Sequence, residues 1–336
     1  MRTIIMFGKS LILTTALTVL TSIASAAESR VPLLDSASAW KRLPETESGG
    51  GGPLPTWARA LADSLPRTTA AMLDLDRLHR TRSPLGQKLR AKMRWVVADA
   101  NRCGYSKSFA TADLKRAGVS DLEIEKLAKL SPEASVEVRA ALRFAYEMTL
   151  RAYSVTDESV AELKRIYGDE KLAAMVLLIA SANLQDRLYL ALGLELAADE
   201  PMEPLEVRFV KKAAKPDVPK RVIPEGDKPK VPEFVDDPEW VAVDFGTLQE
   251  NLTKQRERNG RIRVPTWDEV LAVLPKDYPN KQPIRIQWSL VCMGYQPELA
   301  LAWSACTSAF REEAKQDRVF EESQFWVVTR QLNCFY

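Results

Sequence analysis

The chain has 336 residues, 46% of them apolar, which is enough for two domains of ordinary size with real cores. Its formal net charge is +2, and it contains one histidine, His79. Near-neutrality argues against a nucleic-acid partner or an electrostatic grip on a membrane. A single histidine excludes metal sites built from several and disfavours a Ser-His-Asp hydrolase.

Arg2 and Lys9 precede a threonine-diluted apolar stretch, Leu11 to Ile23, and then Ala24-Ser25-Ala26. This pattern predicts a secretory signal cut after Ala26 and a secreted or periplasmic protein. The alternative, an uncleaved anchor, is disfavoured because the run is short of the roughly 20 residues a span needs. Removing residues 1–26 takes away two cations and no acid, so the charge falls from +2 to 0. An exported chain meets oxidising conditions, yet four cysteines in this length are not a disulfide scaffold. Cys292 and Cys306 read as small buried hydrophobes.

Residues 27–53, with glycines at 49 to 52, read as a disordered segment and hinge. Residues 54–198 are helical throughout in pattern and carry no strand alternation, so the fold class is all-α. Leu85, Leu89, Met93, Val96 and Val97 mark one helix face. Ser120 to Glu123 has the form of a capping box. Ser131-Pro132 is read as the start of the helix bearing Val138, Leu142, Ala145, Met148 and Thr149. Thr156-Asp157-Glu158 opens the next helix and Gly168 ends it. The last helix runs from about Glu170 to Leu192. Leu172 to Ala182 is apolar all round, which predicts a central position, and Asn183, Gln185, Asp186 and Arg187 exclude a membrane span there.

Eight prolines between Pro201 and Pro238 predict an extended linker over 199–238. Residues 239–336 become globular again. Part of them repeats an earlier stretch: "WVVADANRCGYS" begins at Trp95 and "WVVTRQLNCFY" at Trp326. Trp-Val-Val, the cysteine and a tyrosine two residues on all recur at an offset of 231. If the match is real, the second copy stops after its first helices, which predicts a C-terminally truncated repeat. The competing reading is a short accessory subdomain packed on the first copy.

The stretch "ANRCGYSKSFATADLKRAGVSDLEIEKL" places Cys103 at a helix–helix junction before a Gly118-Val119-Ser120 turn. With the downstream segment "RAALRFAYEMTLRAYSVTDESVAELKRIYGDEKLAAMVLLIASANLQDRLYLALG", it resembles the carboxymuconolactone decarboxylase and alkylhydroperoxidase D superfamily. Asn183, Arg187 and Leu188 fit that family's helix ending. The resemblance covers about residues 54–196 and, in part, the C-terminal copy. It implies an alkylhydroperoxidase D-like helical bundle, homo-oligomers formed through helices, a peroxide substrate with a thiol reductant, and no cofactor or metal.

The family motif is Cys-x-x-Cys followed by histidine, with an upstream glutamate. A thiolate of lowered pKa attacks, a second cysteine resolves the product, and histidine and glutamate relay protons. The first copy departs from it: Cys103 matches the first cysteine, but Ser106 takes the second place, Phe109 and Ala110 stand where histidine is usual, and Ala91 replaces the glutamate. Serine forms no disulfide, so no two-cysteine cycle runs there. Cys103 is a lone thiol or an inert remnant. In the second copy, Cys334 matches the first cysteine and Glu322 the glutamate. By resemblance, Cys334 is the nucleophile and Glu322 the proton relay; otherwise Glu322 is a solvated acid beside Glu321. His79, in "LDLDRLHRTRS", reads as a helix-end or surface residue.

Two functions follow as expectations. One is an exported thiol peroxidase or disulfide reductase whose activity resides in an intact second repeat, the first repeat being structural and the 336-residue chain itself inactive. The other is a non-catalytic helical oligomerisation or partner-binding protein.

Overall fold

The computed structural model describes residues 29–128, 135–210, 246–247, 249–250, 253–254, 260–279, 282–314 and 317–331. The expected signal segment, Ser131-Pro132, most of the proline-rich stretch and Cys334 lie outside the described residues.

The described residues are all-α apart from one antiparallel pair of very short strands. The chain runs α1 (Ser36–Arg42), β1 (Thr46–Ser48), α2 (Thr56–Leu61), α3 (Pro66–Thr81), α4 (Gly86–Ala100), α5 (Gly104–Arg116), α6 (Asp121–Leu127), α7 (Val136–Leu150), α8 (Asp157–Leu192) and β2 (Arg208–Phe209). The C-terminal part adds α9 (Trp267–Val273), α10 (Gln287–Tyr295), α11 (Pro297–Ala314) and α12 (Arg318–Gln331).

Helix ends follow the local chemistry. Ser120 accepts from the Glu123 N–H at the start of α6, and Thr156 from the Ser159 N–H at the start of α8. The α7 cap is Ser135, whose hydroxyl accepts from the Val138 N–H, so that helix begins four residues beyond the expected Ser131 cap. Gly168, expected to end a helix, does interrupt α8: its φ of 76° and ψ of 170° are non-helical, and two helical segments meet there. Left-handed backbone is cheap for glycine, so α8 kinks there and continues.

The main core joins α4, α6, α7 and α8 around Met93, Val97, Leu163, Met175 and Ile179. Each such side chain is worth about 1.5–3 kcal/mol when fully buried. Leu172 to Ala182 occupies the centre, as its apolar composition predicts. Among the described residues, α8 is long and apolar enough to cross a membrane, but its apolar half lies inside this bundle.

Two expectations about the flanks are corrected. Residues 29–53 are ordered against the bundle: Asp35 caps α1, Ala39 is buried, and Trp40 stacks on Phe209. β1 pairs with β2 in the register Thr46–Phe209, so the start of the expected linker belongs to the fold. Gly49 lies so close to this strap that a Cβ there would stand 2.3 Å from the Glu206 carbonyl oxygen. Glu200 completes it, accepting from the Thr56 N–H at 2.8 Å, the Thr56 hydroxyl at 2.7 Å and the Tyr105 hydroxyl.

The C-terminal helices dock on the bundle. Leu299, Ala300 and Ala302 of α11 and Cys292 of α10 pack with Leu75 and Leu78 of α3 and Leu177 of α8. Glu313 caps α3 from across the chain. Its carboxylate accepts from the Arg67 N–H at 2.7 Å, the Thr68 N–H at 2.8 Å and the Thr68 hydroxyl at 2.7 Å. Three otherwise unpaired donors at a positive helix end are thereby satisfied.

Candidate functional site

Helical spacing converges four elements on one cavity of about 50 Å³. α3 contributes Asp76, His79 and Arg80, spaced i, i+3, i+4. α4 contributes Arg90 and Arg94, which share a stripe with Met93 and Val97. α5 contributes Ser106, Phe109, Ala110 and Asp113, and α8 contributes Leu178, Ser181, Gln185 and Tyr189. The positions that correspond by resemblance to the second cysteine and the histidine therefore line the cavity, as serine, phenylalanine and alanine.

Cys103 stands at the N-cap of α5, after Arg102 with a left-handed φ of 56°. A helix N-terminus lowers a thiol pKa, but burial opposes it. Cys103 is 1% exposed and donates to the Ser106 hydroxyl at 3.4 Å. Burial is the largest influence and leaves its pKa raised, despite opposing hydrogen bonds from Ser106. Thiolate is scarce there at neutral pH. Cys292 and Cys306 are buried too; burial pushes them up to about 12 and about 11, in keeping with their reading as small hydrophobes. The described residues contain no disulfide and no cluster of metal-ligating side chains.

Arginines dominate the polar wall. Asp113 accepts from Arg80 at 2.8 and 3.1 Å, from Arg90 at 2.7 Å and from Arg116. Burial alone would raise the Asp113 carboxyl, but Arg80 and Arg90 outweigh it and hold it well below the usual carboxylate range. Asp186, 0% exposed, accepts from Arg94 at 2.6 and 3.2 Å and from Asn101 at 3.0 Å. His79 is buried on the cavity wall rather than at the surface. Burial, then the charges of Arg90 and Arg94, bring its pKa down to about 3, so the imidazole is neutral at pH 7.

Of the sequence-based candidates, the structure brings Cys103 beside Ser106 at the cavity edge. Glu322 is exposed on α12, with Glu321 one residue before it. Of the family-like helix ending, Asn183 is buried, donating to the Ile179 carbonyl at 3.0 Å, whereas Arg187 is exposed. Sequence reasoning missed the arginine–aspartate cluster. The available signal was Arg90 and Arg94 falling in the same i, i+4 stripe as Met93 and Val97, where an apolar side chain is the ordinary occupant.

No family model matches the chain, and no curated protein matches it either.

Proposed function

We propose that the bundle is a non-catalytic binding module related to the carboxymuconolactone decarboxylase and alkylhydroperoxidase D superfamily, exported and assembled through its helices. The observation that carries this reading is the state of Cys103: buried, raised in pKa, and facing a serine hydroxyl. A peroxidatic thiol needs thiolate and a resolving partner. Neither Ser106 nor Phe109 supplies one. The experiment is a native thiol titration at pH 7. Cys103 should react far more slowly than in denaturant, and fast stoichiometric labelling of it would overturn the reading.

A second reading has its own support, the 231-residue register that aligns Cys334 with Cys103 and Glu322 with Ala91. In it, the second repeat is a thiol peroxidase or disulfide reductase. The Cys334 thiolate attacks the peroxide O–O bond, becoming a sulfenic acid as the leaving alkoxide takes a proton relayed by Glu322. A dithiol reductant then restores the thiol and releases water. Peroxide consumption that depends on a dithiol and is abolished by Cys334→Ser would favour it; unchanged consumption in that variant would end it.

A further inference from the structure

Arg90 is a buried cation with an unfilled hydrogen bond. It is 4% exposed and lines the cavity between α3, α4, α5 and α8. One terminal nitrogen donates to Asp113 at 2.7 Å, but its Nε–H has no partner among the described residues. Leaving such a donor unpaired is costly, and more so when the group is charged. The neighbouring carboxylates are already committed. Both Asp113 oxygens are taken by Arg80, Arg90 and Arg116, and both Asp186 oxygens by Arg94 and Asn101. Arginine stays protonated in proteins, so burial does not relieve the demand by neutralising Arg90.

The buried charges around it otherwise balance. Three guanidiniums, Arg80, Arg90 and Arg94, meet three carboxylates, Asp76, Asp113 and Asp186, while Arg116, which also pairs with Asp113, is exposed and lies outside the lining. The further acid on the lining, Glu203, lies at the exposed rim. The rest of the wall is mixed, with Trp57, Leu73, Phe109 and Leu178 apolar and Ser106, Ser181 and Gln185 polar.

We propose that this cavity binds a small organic carboxylate, its anion taken by the Arg90 Nε–H and its apolar body lying against Trp57, Leu73 and Phe109. A carboxylate answers the open donor with a hydrogen bond charged at both ends, stronger than one a neutral acceptor makes. The size of the cavity, about 50 Å³, limits the ligand to a few carbon atoms. This inference rests on the non-catalytic reading and names the ligand class of that module.

The test uses the full chain with butyrate as probe and butyramide, its neutral amide, as control, at constant ionic strength. Calorimetric titration and thermal unfolding should show saturable binding and a raised Tm with butyrate alone. Ala110→Leu fills the cavity from α5, and Arg90→Lys keeps the charge while removing the Nε–H. Each should weaken butyrate binding by about tenfold or more, the value of a lost charge-assisted hydrogen bond. Circular dichroism checks that both variants fold.

No binding to the wild type below about 10 mM, or equal binding of butyramide, would overturn the proposal and leave water as the partner of Arg90. Unchanged butyrate affinity in a folded Ala110→Leu variant would overturn it as well. The thiol titration of Cys103 is independent of these outcomes. Slow labelling with no butyrate binding sinks the carboxylate site alone, whereas fast labelling sinks the non-catalytic reading itself.

Discussion

Trp95-Val96-Val97 and Trp326-Val327-Val328 are the same three residues in two helices, with opposite fates. On α4 the tryptophan is 4% exposed, and both valines are buried in the main core. The indole N–H donates to Thr111 at 3.1 Å, and the Lys107 ammonium sits 4.5 Å above the ring centroid. On α12 the tryptophan is 55% exposed, and both valines are exposed as well. Both segments are helical, as their local pattern predicts. What differs is what surrounds them. α4 is packed by α5, α7 and α8, whereas α12 carries Val319, Phe320 and Phe325 exposed alongside its tryptophan. The local sequence selects the helix, and the surfaces brought to it decide which side chains contribute energy.

The sharpest test of this contrast is a pair of truncations read by denaturant unfolding. Trp95→Ala should cost about 3–5 kcal/mol, the range for removing a large aromatic from a core. Trp326→Ala should change stability by less than about 0.5 kcal/mol, as exposed sites do. Equal effects would break the comparison. Asp186→Ala should match the first in size, about 3–5 kcal/mol, because it strands the buried Arg94 guanidinium. An effect below about 1 kcal/mol would mean that water replaces the carboxylate.

A pH series isolates the cavity wall. The folded pKa of His79 is about 3, below its ordinary 6.5, so the unfolded chain takes up a proton that the folded chain refuses. Stability is therefore complete above pH 6.5 and falls as the pH drops toward 3, by about 1.4 kcal/mol per pH unit at full slope. Asp113, also depressed, adds its loss only below its ordinary value of 3.8. Between pH 6 and 4.5 the slope belongs chiefly to the chain's one histidine, and His79→Asn should flatten it. Unfolding midpoints measured across that range decide the matter.

The smallest of the cooperative effects concerns the contact between the C-terminal helices and the bundle. Glu313→Ala removes the cap of α3 and should lower stability by about 1–2 kcal/mol. The change should also speed proteolysis of the C-terminal helices relative to the bundle. Unaltered proteolysis would mean that the apolar contacts of Leu299 and Ala302 hold α11 alone.

Several features were legible in the sequence. Helix starts at Ser120 and Thr156 follow from side chains that cap their own neighbours, and the central place of Leu172 to Ala182 follows from composition. That Cys103 has no second cysteine three residues on was legible too, because position 106 is a serine. The strap was not. Residues 29–53 carry the glycines and polar side chains of a loose segment, and their order comes from partners far away in the chain: Phe209 against Trp40, and β2 against β1. His79 was misplaced for the same reason. Its neighbours in the chain are charged, yet the arginines that face it come from α4.

By itself, then, the sequence determined the all-α class, the stripes of α4 and α8, and the residues standing at Cys103 and Ser106. These are short-range matters of periodicity, capping and side-chain identity, fixed within a few residues. Only the tertiary structure decided that three guanidiniums and three carboxylates share one cluster, that Arg90 keeps an open donor there, and that one Trp-Val-Val is core while the other is surface. Desolvation makes that division. The energy of a charge or an aromatic ring depends on what displaces water from it, and that is supplied by helices distant in the chain.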